Sequence, residues 1–232
     1  MKKKTSSTGG KNSCQIGKVT LKDRRTRTES SKRWLLRQLN DPYVQKAKQQ
    51  GYRSRAAFKL HEIDQKFNLL KPGITVIDLG ASPGGWTQVA IEKVHSKNQK
   101  GTVIGIDLQE MKPLEGALFL QGDFLDEETY QSLLQLIPSQ ADLVLSDMAA
   151  SACGMSDIDH IRIMALLEMV YEFCLITLKP GGAMVAKVLR GGTESNLLQK
   201  LKKNFAKVVH FKPLSSRQDS SEMYVVGLGF RK

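Results

Sequence analysis

The chain has 232 residues, 41% of them hydrophobic, and a formal net charge of +12. This length suffices for one α/β domain with a buried core and an appendage. No apolar run reaches the length of a transmembrane helix, and Met1–Lys4 lacks the apolar stretch of a secretory signal, which argues against membrane-spanning and secreted proteins. The three cysteines show no metal-ligand spacing and predict free thiols in a reducing compartment. We therefore expect a cytoplasmic protein, and the basic N-terminus leaves mitochondrial targeting open.

The positive charge is concentrated in the first third of the chain. Residues 1–71 carry 19 Lys and Arg against 5 Asp and Glu, whereas residues 72–232 carry 16 against 18. Such a cluster of cations predicts a polyanionic partner that is bound through its phosphates. Residues 1–30 contain few large apolar side chains, so we expect a disordered basic tail there and one folded domain over residues 31–232. Within that domain, residues 31–71 are expected to form helices that contact the polyanion, and residues 72–232 the core.

Three helices are predicted ahead of the core. The first carries the apolar residues between Trp34 and Leu39, and the second runs from Pro42 to Gln50. The third begins near Ser54, a plausible N-cap, and places four apolar residues at helical spacing: Ala56, Leu60, Ile63 and Phe67. Lys59 lies beside this apolar face, so the helical pattern by itself favours an ordinary solvated lysine.

The core begins with a strand over Ile74–Leu79, a glycine-rich turn and a helix predicted from Trp86 to His95. A strand, a glycine turn and a helix form the usual geometry of a nucleotide site at the carboxyl end of an α/β sheet. The turn lacks the G-x-G-x-x-G spacing of dinucleotide-binding proteins, which disfavours an NAD-dependent enzyme, and it lacks the G-K-[ST] of a P-loop. An acid at Asp78 followed by G-x-x-x-G-G is similar to motif I of S-adenosylmethionine-dependent methyltransferases.

Further β-α units follow in succession. The predicted strands are Thr102–Asp107, Leu118–Leu120, Ala141–Ser146 and Ala183–Leu189, and the predicted helices are Asp126–Ile137, Asp159–Leu178 and Thr193–Asn204. Two strands, Ala206–Phe211 and Met223–Phe230, close the chain with no helix between them. This order predicts an α/β, Rossmann-like fold with a mostly parallel seven-stranded sheet, helices on both faces and one antiparallel strand in the closing pair.

Charged residues mark the ends of the predicted strands. Asp107 ends one strand, Asp123 and Asp147 follow two others, and Lys187 interrupts an otherwise apolar strand. The carboxyl ends of parallel strands form the ligand-binding edge of such a sheet, so these side chains are expected there. Three carboxylates suit a ligand with a ribose, an adenine and a cationic sulfonium better than an anionic pyrophosphate. This favours S-adenosylmethionine over NAD.

Four segments resemble the Lys-Asp-Lys-Glu tetrad of the RrmJ/FtsJ ribose 2′-O-methyltransferases: Phe58-Lys59-Leu60, Ser146-Asp147-Met148, Val185-Ala186-Lys187-Val188 and Ser221-Glu222-Met223-Tyr224. Motif I and Gln121-Gly122-Asp123-Phe124 occur in the family's order, and the resemblance covers about Ser31 to Lys232. It implies the class I S-adenosylmethionine-dependent methyltransferase fold. It also implies methylation of a uridine 2′-hydroxyl in 23S rRNA of the large ribosomal subunit.

The same resemblance implies a role for each matching residue. Lys187 would be the catalytic base, and Lys59 and Glu222 would complete the tetrad with Asp147 around the target ribose. The residues implied for S-adenosylmethionine are Gly84, Trp86, Asp107, Asp123 and Asp147, and no metal is implied. Lysine has a reference pKa of ~10.4 and must lose a proton before it acts as a base. An apolar strand and a second lysine favour the neutral amine, the two acids favour the cation, and this balance is open at the level of the sequence.

Two other functions remain as alternatives. The same tetrad could methylate tRNA or an mRNA cap. The similarity of Ser31–Lys71 to the ribosomal branch of the family and the lack of an additional cap-binding domain favour rRNA instead. A non-catalytic, rRNA-binding assembly factor is disfavoured because every tetrad residue and every motif I glycine is present. In each case the basic tail is expected to add non-specific affinity for RNA.

Overall fold

The computed structural model describes residues 28–95, 101–150, 153–191 and 195–232. The predicted basic tail, with Cys14, lies outside the described residues except for its last three positions. The chain divides into two units, Met1–Gln45 and Lys46–Lys232. In the first unit, helix α1 spans Glu29–Leu39, and Thr28 caps it by accepting a hydrogen bond from the Ser31 amide. Helix α2 spans Pro42–Gln49 and crosses the division.

The second unit contains the whole sheet. Its helices are α3 (Ala56–Phe67), α4 (Gly85–Val94), α5 (Glu127–Leu136), α6 (Ser156–Thr177) and α7 (Ser195–Asn204). Its strands are β1 (Thr75–Leu79), β2 (Thr102–Asp107), β3 (Leu118–Gln121), β4 (Ala141–Ser146), β5 (Leu178–Leu189), β6 (Phe205–Phe211) and β7 (Glu222–Phe230). Strands β2 and β4 occupy the predicted residues, because each is a short apolar run with clear flanking breaks.

The seven strands form one sheet in the order β3-β2-β1-β4-β5-β7-β6. The first five are parallel to their neighbours, and β7 is antiparallel to both β5 and β6. The predicted mostly parallel sheet with one antiparallel closing strand is therefore confirmed. The reversal matters for the site, because it brings the start of β7 to the edge where β5 ends, with Leu189 opposite Glu222.

Each face of the sheet is covered by helices. Ile77 and Leu79 of β1 pack in a core cluster with residues of α5, α6 and α7, whereas Val76 packs on the other face with α3 and α4. Successive strand residues point to opposite faces, so a strand buried on both faces needs a continuous apolar run. That requirement explains why the strands of this chain are rich in Val, Ile and Leu without polar alternation.

Two elements begin three or more residues earlier than the sequence pattern indicates. Helix α6 starts at Ser156, three residues before the predicted start. Strand β5 starts at Leu178, where the pattern predicts the end of the preceding helix, because Leu178 pairs with Ala141 of β4 before the register shifts. Pro180 and the two glycines after it are local break signals, and the pairing with β4 overrides them. Among the described residues, no helix combines the length and apolarity that crossing a bilayer requires.

Candidate active site

The charged residues predicted at strand ends meet at one edge of the sheet. Asp107 ends β2, Asp147 directly follows β4, and Lys187 lies two residues before Leu189, the last residue of β5. Glu222 opens β7, which enters the sheet from this edge. Because the carboxyl ends of the parallel strands coincide, side chains far apart in the chain come together here.

Lys59, Asp147, Lys187 and Glu222, called the tetrad below, form a continuous chain of polar contacts. The Lys187 ammonium lies 2.8 Å from Asp147 Oδ1 and donates a second hydrogen bond to the Asp147 carbonyl oxygen at 2.7 Å. Lys59 Nζ lies 3.9 Å from the same Oδ1 and 3.3 Å from Glu222 Oε2. The four residues implied by the family resemblance are therefore neighbours in space.

Lys59 is buried, contrary to what its helical position indicates. Only 8% of its surface is exposed, and Lys187 is exposed to the same extent. Helix α3 turns this part of its surface towards the start of β7, where Glu222 and Asp147 supply opposite charges within 4 Å. Buried lysines are tolerated when they are paired, and this pairing decides the environment of Lys59.

Tyr224 belongs to the same network, although the sequence motifs did not assign it a role. Its hydroxyl donates to Asp147 Oδ1 at 2.7 Å, and its backbone lies opposite Lys187 in the β5–β7 pairing. Burial, reinforced by the negative charge of Asp147, raises the pKa of Tyr224 well above its ordinary value, so the phenol remains a donor. The available signal was the spacing: residues two apart on a strand share a face, and Tyr224 follows Glu222 by two.

The two tetrad acids remain ionised because of the lysines. Burial alone would raise the pKa of Asp147, but the charges of Lys187 and Lys59 and the donated hydrogen bonds outweigh it and lower that pKa. Burial acts in the same direction on Glu222, and again Lys59 and Lys187 lower its pKa below the ordinary value. The site thus contains two carboxylates and two lysine side chains in direct contact.

A cavity of about 480 Å³ opens beside the tetrad and is bordered by Asp147 and Met148. Asp107 and Asp123, the two acids that the resemblance implies for the cofactor, also line it, and each carboxylate already accepts hydrogen bonds from local amides. Asp107 accepts from the amides of Ser82 and Gln109, and Asp123 Oδ1 accepts from the Leu125 amide. These bonds orient the two acids, and each carboxylate retains acceptor capacity for a ligand.

Two large apolar side chains line the same cavity and are unusually exposed. Leu108, which directly follows Asp107, is 65% exposed. Leu125, two residues after Asp123, is 59% exposed. Apolar walls beside acceptor carboxylates suit a flat heterocycle attached to a ribose. The acceptor carboxylates and apolar walls of the cavity therefore fit S-adenosylmethionine, whose adenosine has donors for such acceptors and whose net charge is positive.

Gly84 and Trp86 are not among the described residues that line this cavity. Trp86 is buried, and its indole donates to the Ala56 carbonyl oxygen at 2.8 Å, so its side chain serves packing between α3 and α4. Gly84 precedes α4 with φ +109°, and a Cβ there would lie 2.9 Å from Met111 Sδ. Their part in cofactor binding remains a prediction. Because Gly84 has no side chain and that of Trp86 does not line the cavity, any contact with the cofactor would come from the backbone of the turn and of the start of α4.

Replacing Gly84 by alanine is expected to weaken binding of S-adenosylmethionine roughly tenfold, equivalent to about 1.4 kcal/mol. The new Cβ crowds Met111 and Leu114, and an alanine at this positive φ is strained, so the turn must move. Gly181→Ala is the matched control, because Gly181 has φ +83° but nothing within 4 Å of its Cβ position. Calorimetric titration of both variants tests the assignment, and equal affinities would contradict it.

Asp78 is a buried acid beneath the glycine turn. Thr87 Oγ1 donates to its Oδ2 at 2.7 Å, while its Oδ1 has no hydrogen-bond donor among the described residues. Burial, opposed in part by the Thr87 hydrogen bond and reinforced by the charges of Asp147 and Asp107, raises the pKa of Asp78 to about 7.

The stability of the ligand-free protein is expected to depend on pH through Asp78. Because its native pKa of about 7 exceeds the ordinary value, the native state retains a proton that the unfolded chain releases between about pH 4 and pH 7. The free energy of unfolding should fall as pH rises through this window, by about 1.4 kcal/mol per unit of pKa difference. Urea titrations of Asp78→Asn should lack this part of the slope, and a slope equal to that of the wild type would refute the assignment.

Comparisons with known proteins agree with this geometry. The model of the family described as FtsJ-like methyltransferase matches residues 52–230. The chain is 54% identical to a protein of Paramagnetospirillum magneticum over 92% of this chain and 88% of the relative, and 52% identical to one of Parvibaculum lavamentivorans over 96% and 91%. Both are named Ribosomal RNA large subunit methyltransferase E.

A solved structure is also similar. The crystal structure of a ribosomal RNA methyltransferase of Plasmodium falciparum superposes with a TM-score of 0.69 at 33% identity, over 77% of this chain and 98% of that chain. The family match extends over the whole sheet and includes every residue of the tetrad. The chain therefore belongs to the FtsJ-like methyltransferase family.

Proposed function

We propose that this protein transfers a methyl group from S-adenosylmethionine to the 2′-hydroxyl of a uridine in 23S rRNA of the large ribosomal subunit. The observation that carries the proposal is the contact between the tetrad and a cavity that suits the cofactor, with Asp147 belonging to both. Methyl transfer to a ribose oxygen is an in-line displacement, so holding the donor and the hydroxyl in place supplies much of the acceleration.

The cofactor would be bound at the carboxyl ends of β1 to β4. Asp107 and Asp123 would accept the ribose hydroxyls and the adenine amino group, with Leu108 and Leu125 against the ring. The first amides of α4, which begins at Gly85, have no acceptor within their own helix and suit the carboxylate of an amino acid. When bound, S-adenosylmethionine supplies an electrophilic methyl group on a positively charged sulfur.

Lys187 would take the proton from the ribose hydroxyl. Two of the tetrahedral positions of its Nζ are directed to the carbonyl oxygen and Oδ1 of Asp147. In the neutral amine these two positions keep the hydrogens, and the lone pair then occupies the remaining position. The hydrogen bonds from Lys187 to Asp147 therefore aim the base, and positioned bases of this kind contribute about 10²–10⁴-fold to rate.

Lys59 and Glu222 would orient the ribose and its phosphate. Lys59 lies between two carboxylates, 3.3 Å from Glu222 and 3.9 Å from Asp147, which restricts its ammonium to one place. A fixed cation next to the base suits the phosphate beside the target nucleotide.

The proposed substrate rests on the relatives and on charge. The two bacterial relatives named above bear the name of a large-subunit rRNA methyltransferase and match along most of their length. Residues 31–71 carry 10 Lys and Arg against 3 Asp and Glu, and we assign this segment to RNA contact ahead of the core at 72–232. Residues 1–30 would add non-specific affinity as a basic tail.

The test is transfer of labelled methyl groups from S-adenosylmethionine to purified large ribosomal subunits that lack the modification. Naked 23S rRNA and bulk tRNA are assayed alongside. Label on the subunit or the 23S rRNA that maps to one uridine 2′-oxygen is the expected result. Label on tRNA alone would overturn the substrate, and cofactor binding without transfer to any RNA would overturn the enzymatic function.

A further inference from the structure

Helix α3 contacts the segment that leads into Glu222 at more than one point. Arg55, Lys59 and Glu62 follow one another at spacings of four and three residues, which places them along one side of the helix. Lys59 reaches Glu222 itself, whereas the other two contact residues 214 and 215. The tetrad contact is therefore accompanied by contacts from Arg55 and Glu62 between the same two segments.

Glu62 binds the backbone of the polar loop 212–221 with both carboxylate oxygens. The Leu214 amide donates to Oε2 at 2.5 Å, and the Ser215 amide donates to Oε1 at 3.0 Å. Arg55 donates to the Ser215 carbonyl oxygen, so both backbone polar groups of that buried residue are bound by side chains of the α3 region. Charge-assisted bonds to backbone amides are among the stronger contacts available to a loop.

Further hydrogen bonds connect the rest of the loop to Glu222. Lys212 donates to the Ser220 carbonyl oxygen at 2.7 Å, and the Glu222 amide donates to Ser220 Oγ at 3.1 Å. The amide of Arg190, the residue directly after β5, donates to the Ser221 carbonyl oxygen at 2.6 Å. The loop is thus bound to α3 at one end and to β5 at the other.

The Lys59–Glu222 ion pair depends on the position of the loop backbone. The Glu222 side chain is 34% exposed, and a partly exposed pair between flexible side chains contributes little by itself. Its geometry depends on where the backbone places Glu222 relative to α3, and the Glu62 contacts set that placement at the near end of the loop.

We infer that Glu62 is a positioning residue of this site: its carboxylate fixes loop 212–221 to α3 and thereby places Glu222 against Lys59. The inference rests on the proposed function, since it assigns Glu62 a part in that reaction. Glu62 acts through Glu222 and has no contact of its own with Lys59, Asp147 or Lys187 among the described interactions.

The test is a double-mutant cycle in the full chain with the large subunit as substrate. Glu62→Gln replaces one acceptor oxygen by a donor that faces a backbone amide, and we expect kcat to fall about 10- to 100-fold with an unchanged KM for S-adenosylmethionine. Glu62→Asp keeps the charge but withdraws it from the loop, and a comparable loss is expected. In a Glu222→Gln background the Glu62→Gln change should have no further effect on kcat.

Glu168→Gln is the control, because Glu168 is an exposed acid of α6 paired with Lys200 at 2.8 Å. The inference is overturned if both Glu62 variants keep the wild-type kcat, or if Glu62→Gln lowers kcat by the same factor in both backgrounds. The second outcome would indicate a general effect on folding. If the wild type and the Glu168→Gln control transfer no methyl group to the large subunit, the proposed function fails instead.

Discussion

Replacing Lys187 by alanine is expected to lower kcat for methyl transfer by about 10²–10⁴-fold while leaving the affinity for S-adenosylmethionine unchanged. The variant removes the only tetrad amine that makes two hydrogen bonds to Asp147, and with it the group that we propose as the base. A hydroxyl without a base is a poor nucleophile, whereas Asp107 and Asp123 still line the cavity that we propose for the cofactor. The effect should therefore fall on turnover and not on cofactor binding.

The measurement is single-turnover transfer of labelled methyl groups to unmodified large subunits, with cofactor affinity measured by calorimetry on the same preparations. Lys200→Ala is the matched control, because Lys200 also pairs with an acid at 2.8 Å but is exposed on α7. Near-normal turnover of Lys187→Ala with intact cofactor binding would refute the assignment of the base. A loss of both turnover and cofactor affinity would assign Lys187 to the cofactor site.

Replacing Asp147 by asparagine is expected to impair both activity and folding stability. Asp147 Oδ1 is shared by Lys187 at 2.8 Å, Tyr224 at 2.7 Å and Lys59 at 3.9 Å, so the change leaves two buried lysines without their common counter-charge. Removing one partner of a buried ion pair typically costs about 3–5 kcal/mol. Activity should fall as well, since we propose that the hydrogen bonds from Lys187 to Asp147 aim Lys187 as the base.

Urea denaturation of Asp147→Asn and of the wild type measures this cost, with Glu168→Gln as the control for loss of an exposed charge. Because the native pKa of Asp147 is lowered, its stabilising contribution is present at neutral pH and is lost as the pH falls through that lowered value. The difference between the two proteins should therefore shrink in acid. Equal stability at pH 7 would contradict the view that Asp147 is the common counter-charge of the lysines.

Local sequence patterns determined much of the fold. Strands β2 and β4 occupy the predicted residues because each is an apolar run bounded by residues that break it. Acids at or after strand ends could be assigned to one edge of the sheet, since the geometry of β-α units places those ends together. The family resemblance then selected Lys59 and Glu222, which no local pattern distinguishes.

Tertiary structure decided the environment of individual side chains. Lys59 is buried because β7, more than 160 residues later in the chain, brings Glu222 to 3.3 Å from it. Trp86 faces the α3 backbone instead of the cavity because its indole finds an acceptor at Ala56. Glu62 and Tyr224 have no motif of their own, and only the pairing of distant segments reveals their contacts.

One physical reason explains why some features follow from the sequence and others only from the tertiary structure. Strand and turn propensities depend on neighbouring residues, so the order of elements, the glycine turn and the acids at strand ends could be determined from the sequence alone. Burial, hydrogen-bond partners and the lowered pKa of Asp147 depend on which segments meet, and that is settled only when the antiparallel β7 joins the sheet beside β5. The sequence alone thus determined which chemical groups are present, and the tertiary structure decided which groups Lys187 and Glu222 contact.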